Sequence, residues 1–212
     1  MKHCIKGFHF CEHTRKCNAF VDKQLAIVAT GPSQWLGDGM YFWDNYGNAL
    51  YWRRELNGDH IPEKDCMVTA DIDMDYVLDL TDEETQVRIN RAMQDILQIK
   101  KVSPRNRSHR SLRNKISKDE ELTPGQRLDY LLKYSRYRDE LRGIKVVKAT
   151  GRHPRLNDDN KVLSSLWGKK WPRPVVDTKI EYCVKDESAI SSPAWIDDAT
   201  VKRYEAMRKG SD

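Results

Sequence analysis

The chain has 212 residues and 24.8 kDa, 39% hydrophobic and 33% charged, which is enough to bury a core and too apolar for intrinsic disorder. Its longest unbroken aliphatic run is residues 25–29, far short of a membrane-spanning helix. The net charge of +5 is carried by one segment: residues 100–118 hold eight Lys and Arg and no acid, and without those eight charges the remainder stands at −3.

Residues 1–6 run straight into patterned sequence with no signal-peptide core. The five cysteines follow no framework spacing, so the expected setting is a reducing cytoplasm with the thiols free. Alternation predicts a first strand over residues 5–11, with His9 and Cys11 on one face and Phe8 and Phe10 on the other. Helical spacing of Cys17, Phe20, Val21, Leu25 and Val28 predicts a helix over 15–29, stopped by Gly31-Pro32-Ser33. Two glycines, Gly37 and Gly39, lead into an apolar strand through Tyr41-Phe42-Trp43. A turn or cap at Asp44-Asn45 follows, then a helix through Ala49, Leu50, Trp52 and Leu56.

Strands are predicted over 67–72 and 76–80. Thr81 and Glu84 read as a capping box for a helix whose apolar positions are Val87, Met93, Ile96 and Leu97. Beyond the basic run, Thr123-Pro124-Gly125-Gln126 opens another helix, marked by Leu128, Leu131, Leu132 and Leu141. A strand is predicted over 144–150, a loop over 151–178, and a strand over 179–184. From Pro193 onward the pattern reads as a tail with a short helix near 198–208. The fold class is α+β, one domain over residues 1–212, with a helical insertion at about 84–143.

Three chemistries compete for the reactive residues. His3, Cys4, His9, Cys11, His13 and Cys17 concentrate soft ligands near the N-terminus, but no C-x-x-C pair accompanies them, and no resident metal is expected. No cysteine stands in a nucleophile-elbow pattern, and Gly37-Asp38-Gly39 leads into a strand, unlike a dinucleotide-binding loop. The third set is His9 on the first strand, Tyr41 after the double glycine, Tyr51 on the next helix and Glu181 on a late strand.

That order resembles the His-Tyr-Glu ADP-ribosyltransferases, the diphtheria-toxin and PARP branch of that superfamily. The segment Trp35-Leu36-Gly37-Asp38-Gly39-Met40-Tyr41-Phe42-Trp43 followed by Ala49-Leu50-Tyr51 looks like the family's G-x-Y-F…A-x-Y block. Glu181-Tyr182-Cys183-Val184-Lys185-Asp186 is similar to its E-Y-x-V-x-D strand. The match covers roughly residues 5–56 and 144–192, and more narrowly F-H-x-C with W-L-G-x-G-x-Y-F-W resembles small bacterial proteins with a transferase-like fold, some of them toxins of defence modules. The resemblance implies a split-sheet transferase core with flanking helices, and NAD as a substrate. Glu181, His9 and Tyr41 would be catalytic, with His9, Phe10, Tyr41, Asn48 and Tyr51 binding NAD. Glu181 would stabilise the oxocarbenium-like centre, Tyr41 and Tyr51 would sandwich the nicotinamide, and Asn48 would hold its carboxamide.

Two departures stand out. Phe10 replaces the glycine that follows the family's histidine, bringing bulk to the carboxamide pocket. Lys179 stands two residues before Glu181, unlike the acid or amide of arginine-modifying members. The acceptor-facing groups would be Arg105, Arg107, Arg110 and Arg113 of the basic run, together with Arg152, Arg155, Lys169, Lys170 and Trp171 of the loop before Glu181.

The expectation is a cytoplasmic mono-ADP-ribosyltransferase of a toxin–antitoxin or phage-defence system, with no membrane partner. RNA or DNA is favoured slightly over protein as acceptor, and a neutralising antitoxin is the expected partner. Two further readings stay open: a catalytically inert transferase-like fold that binds nucleic acid, and a zinc protein organised by the N-terminal Cys and His cluster.

Overall fold

The computed structural model describes residues 3–57, 67–98, 123–134, 141, 143–152 and 178–209. The architecture is α+β: a seven-stranded mixed sheet with five helices among the described residues. In chain order these are β1 (Cys4–Phe10), α1 (Thr14–Lys23), β2 (Met40–Trp43), α2 (Tyr46–Asn57), β3 (Met67–Asp73), β4 (Val77–Asp79), α3 (Glu83–Gln98), α4 (Pro124–Tyr134), β5 (Val146–Arg152), β6 (Thr178–Val184), β7 (Ile190–Trp195) and α5 (Asp198–Lys209). No described helix is long and apolar enough to cross a membrane.

The sheet order is β4-β5-β6-β2-β1-β3-β7, antiparallel except for β4 with β5. This order cannot be flat. β3 and β4 stand five places apart, roughly 24 Å at ordinary strand spacing, yet residues 74–76 alone connect them and reach at most ~15 Å. The sheet must bend between its halves, and the bend falls where pairing is thinnest. β1 meets β2 through one register pair, Phe8 with Trp43, whereas β1 pairs with β3 along its whole length.

Register assigns each side chain to a face. Phe8, Tyr41, Trp43, Glu181 and Cys183 share the outer face, while His9, Phe42, Tyr182 and Val68 share the inner one. The inner faces of the two halves close on each other: Val68, Ala70 and Ile72 of β3 cluster with Val146, Tyr182 and Val184 of β5 and β6, joined by Cys17 and Phe20 of α1. On the outer face, α4 lays Leu128 and Leu131 over Val147, Ala149 and Cys183, and α2 lays Ala49 over Phe10, Trp43 and Met67.

Several local expectations are corrected. The first helix stops at Lys23 because Gln24 turns left-handed at φ 53°, and Leu25 and Val28 are exposed. Asp82, not Thr81, caps α3: its carboxylate accepts the Thr85 N–H at 2.8 Å, while Thr81 donates both its groups to Asp79. The buried side of α3 carries Thr85, Ile89 and Ala92, leaving Val87 outside. The expected tail from Pro193 begins inside β7, an edge strand that pairs with β3 and tolerates a proline there. β5 extends to Arg152, opposite Thr178.

The cysteines also depart from expectation. Cys11 directly follows β1 and Cys17 lies in the second turn of α1, and the tight connection brings them together as a disulfide with Cα atoms 6.0 Å apart. Cys4 is exposed, Cys183 is buried, and Cys66 lies outside the described residues.

Candidate active site

Glu181, Tyr41 and His9 come from β6, β2 and β1, three neighbouring strands at the bend. Glu181 faces outward beside Trp43, is 4% exposed, and accepts a hydrogen bond from the Trp35 indole at 3.0 Å. Tyr41 sits two residues away from Trp43 on that same face. Its hydroxyl donates to the Gly37 carbonyl at 2.8 Å and accepts the Leu36 N–H at 3.1 Å. Burial pushes the phenol up, so Tyr41 remains protonated.

His9 projects from the opposite face and reaches β2 through the backbone. Its Nδ1–H donates to the Tyr41 carbonyl at 2.6 Å, and its ring lies 5.8 Å from Phe42. A carbonyl only accepts, so this bond sets the tautomer and leaves Nε2 as a bare acceptor. Nε2 is buried without a hydrogen-bond partner. Burial lowers the imidazole to about 4; the Tyr41 carbonyl pulls the other way, and Lys16 adds a small further lowering. His9 is therefore neutral at physiological pH.

The other NAD-facing candidates are nearby but engaged. Lys179, 3% exposed and one pleat from Glu181, holds its ammonium 4.4 Å from the centroid of the Tyr51 ring. The π-face assigned to nicotinamide thus already carries a cation. Asn48 donates through Nδ2 to Asp44 at 2.6 Å, and its N–H caps onto Asn45 at 2.9 Å. Phe10 is sunk into the cluster of Trp43, Ala49 and Met67 beneath the Arg53 guanidinium, so its bulk packs under α2.

Among the acceptor-facing candidates, Arg152 is placed at the end of β5 by its backbone pairing. Arg105, Arg107, Arg110, Arg113, Arg155, Lys169, Lys170 and Trp171 lie outside the described residues. The zinc reading loses two of its six ligands, because Cys11 and Cys17 are joined to each other. No group of three or more His, Cys, Asp or Glu suited to a metal occurs among the described residues.

Residues without an assigned role shape the site most tightly. The loop 34–38 carries Trp35 to Glu181 and hydrogen-bonds the Tyr41 hydroxyl. Lys185 donates to the Leu36 carbonyl at 2.6 Å, the Asp38 carbonyl at 2.8 Å and the Asp129 carboxylate at 2.6 Å. Asp129, on α4, also accepts the Asp38 N–H at 2.6 Å. Gly37 sits at φ +82°, where a Cβ would collide with the Asp129 carboxylate, and Gly125 of α4 abuts the Gln34 carbonyl. Trp35 and Lys185 stand inside the two motif blocks, but nothing local in the sequence links either to its partner. Asp129 carries no motif signal.

Comparison with known proteins finds no match: no family model, no curated protein and no solved structure matches the chain.

Proposed function

We propose that the protein is an NAD-dependent mono-ADP-ribosyltransferase, moving ADP-ribose to a macromolecular acceptor and releasing nicotinamide. The observation that carries the proposal is the neighbourhood of β6, β2 and β1, which brings Glu181 and Tyr41 onto one face and His9 onto the other, from distant parts of the chain, in a sheet that is nearly parted between β1 and β2. The resemblance calls for a split sheet, and the thin pairing of β1 with β2 supports that reading.

The chemistry suits these groups. Loss of nicotinamide leaves positive charge on the ribose carbon, and a carboxylate held largely out of water stabilises that charge. Glu181, 4% exposed, supplies it. His9 projects from the opposite face with Nε2 out of solvent, so it would act on the site through its hydrogen bond to the Tyr41 carbonyl and would reach a ribose hydroxyl only if β1 and β2 part further. Tyr41 and Tyr51 provide aromatic faces for a cationic ring, provided Lys179 yields its place over Tyr51. The two basic segments favour RNA or DNA as acceptor over protein, in a toxin of a toxin–antitoxin or phage-defence system neutralised by a partner protein.

A second reading draws on the filled site: with Lys179 on Tyr51 and Trp35 on Glu181, a transferase-like fold would serve as an inert nucleic-acid-binding module. One experiment separates the two. The purified protein is incubated with labelled NAD and cell lysate, with Glu181→Gln in parallel, and the products are split by protease and by nuclease. Label that survives protease and is lost with nuclease makes the acceptor a nucleic acid, and the reverse makes it a protein. Wild type indistinguishable from Glu181→Gln, with no nicotinamide released by either, overturns the transferase reading.

A further inference from the structure

The functional carboxylate is held by a residue from another part of the chain, and that residue is held in turn by a helix outside both motif blocks. We propose that Trp35 is a positioning residue for Glu181, and that the Asp129–Lys185 pair keeps Trp35 in place. In its kinetic consequences the inference rests on the transferase reading; the contact itself does not.

The Trp35 indole N–H donates to Glu181 Oε2 at 3.0 Å across 146 residues of sequence. A donor on a carboxylate favours its charged form and restricts its rotation, the two properties needed by a group that must face developing positive charge. The Trp35 ring is itself 38% exposed, so burial alone does not fix it. Its loop belongs to no strand or helix, and cross-links from three directions supply the order. The Tyr41 hydroxyl bridges the Leu36 N–H and the Gly37 carbonyl. Lys185, four residues beyond Glu181, grips the carbonyls of Leu36 and Asp38. Asp129 closes the ring by accepting from both Lys185 and the Asp38 N–H.

The clamp tolerates little bulk. Gly37 and Gly125 are the points where loop and α4 touch, and a side chain at either would meet Asp129 or the Gln34 carbonyl. α4 starts on a reciprocal cap between Thr123 and Gln126, which fixes its first turn against the loop. The segment that the motifs leave unaligned therefore sets the geometry of the residue they single out. Asp129 and Lys185 act through Trp35, and Trp35 acts through Glu181.

The first test needs no activity. The six indole N–H resonances of the full chain are recorded in proton–nitrogen correlation spectra at pH 7.5, Trp35 is assigned by Trp35→Phe, and the spectrum is compared with that of Glu181→Gln. The expected result is a Trp35 indole shift displaced in Glu181→Gln well beyond the shifts of the other indoles. A Trp35 shift that is unmoved in Glu181→Gln overturns the contact.

The second test is kinetic. Trp35→Phe keeps the ring and loses the donor; it should lower kcat for nicotinamide release on the order of tenfold with little change in KM, and move the acid limb of the kcat profile to higher pH. Asp129→Asn, which leaves Glu181 and its partner untouched, should broaden the Trp35 resonance and shift the same limb. An unmoved acid limb in an active Trp35→Phe overturns the positioning role alone. If wild type releases no nicotinamide while the Trp35 indole shift responds to Glu181→Gln as expected, the transferase reading falls and the contact stands.

Discussion

Acidification should destabilise the protein through His9 in a defined window. The residue is half-buried with its Nε2 out of solvent, its Nδ1–H is committed to the Tyr41 carbonyl, and burial lowers its pKa from 6.5 to about 4. Between those values the unfolded chain binds a proton that the folded chain refuses, so stability falls as pH drops. The contribution is fully present above 6.5, about 1 kcal/mol is lost by pH 5.5, and about 3 kcal/mol by pH 4, after which the curve flattens. The assay is urea denaturation at four pH values on wild type and His9→Gln. The variant cancels the shared acid titration of the carboxylates, and only the difference is read. A wild-type-minus-variant difference that stays flat from pH 7.5 to 4 would refute the reasoning, since it would mean that His9 protonates in the folded state as readily as in the unfolded chain.

Glu181→Gln should keep the fold and NAD binding while lowering nicotinamide release by roughly 10²–10³-fold; equal turnover would move the catalytic carboxylate elsewhere. Lys179→Met removes the ammonium from the Tyr51 ring and should lower KM for NAD by about threefold or more, read from initial rates; an unchanged or raised KM means that nicotinamide and Lys179 do not compete for that ring. Replacing Cys11 and Cys17 together by Ser should cost about 2 kcal/mol in denaturant unfolding under oxidising conditions, and wild type should lose a similar amount on reduction. Lys185→Met strands the Leu36 and Asp38 carbonyls and leaves Asp129 only the Asp38 N–H, at about 2 kcal/mol in the same assay; a neutral result would show that the loop does not depend on the clamp.

The elements were legible because their signals are local. Phe8 and Phe10 alternate with His9, the Thr123–Gln126 box announces α4, and the double glycine announces β2, each within a few residues. The order of His9, Tyr41, Tyr51 and Glu181 is also local to the sequence, and the resemblance rests on it. Boundaries failed where a side chain chose a partner the pattern did not demand. Asp79 occupied Thr81, so the cap moved to Asp82, and Gln24 turned left-handed inside an apolar run.

What only the tertiary structure decided is which distant residues meet. Periodicity assigns a residue to a face, but not that face to a neighbour, because strand pairing depends on how the whole sheet closes. Three linking residues between β3 and β4 force the bend, and the pairing of β2 with both β6 and β1 makes those three strands neighbours. From that one closure follow the His9 bond to the Tyr41 carbonyl, the Lys179 ammonium over Tyr51 and the Trp35 bond to Glu181. The sequence by itself determined the chemical groups and the strands that carry them. Their distances came from long-range contacts, which no local pattern encodes, because their free energy is gained only when the chain has closed around them.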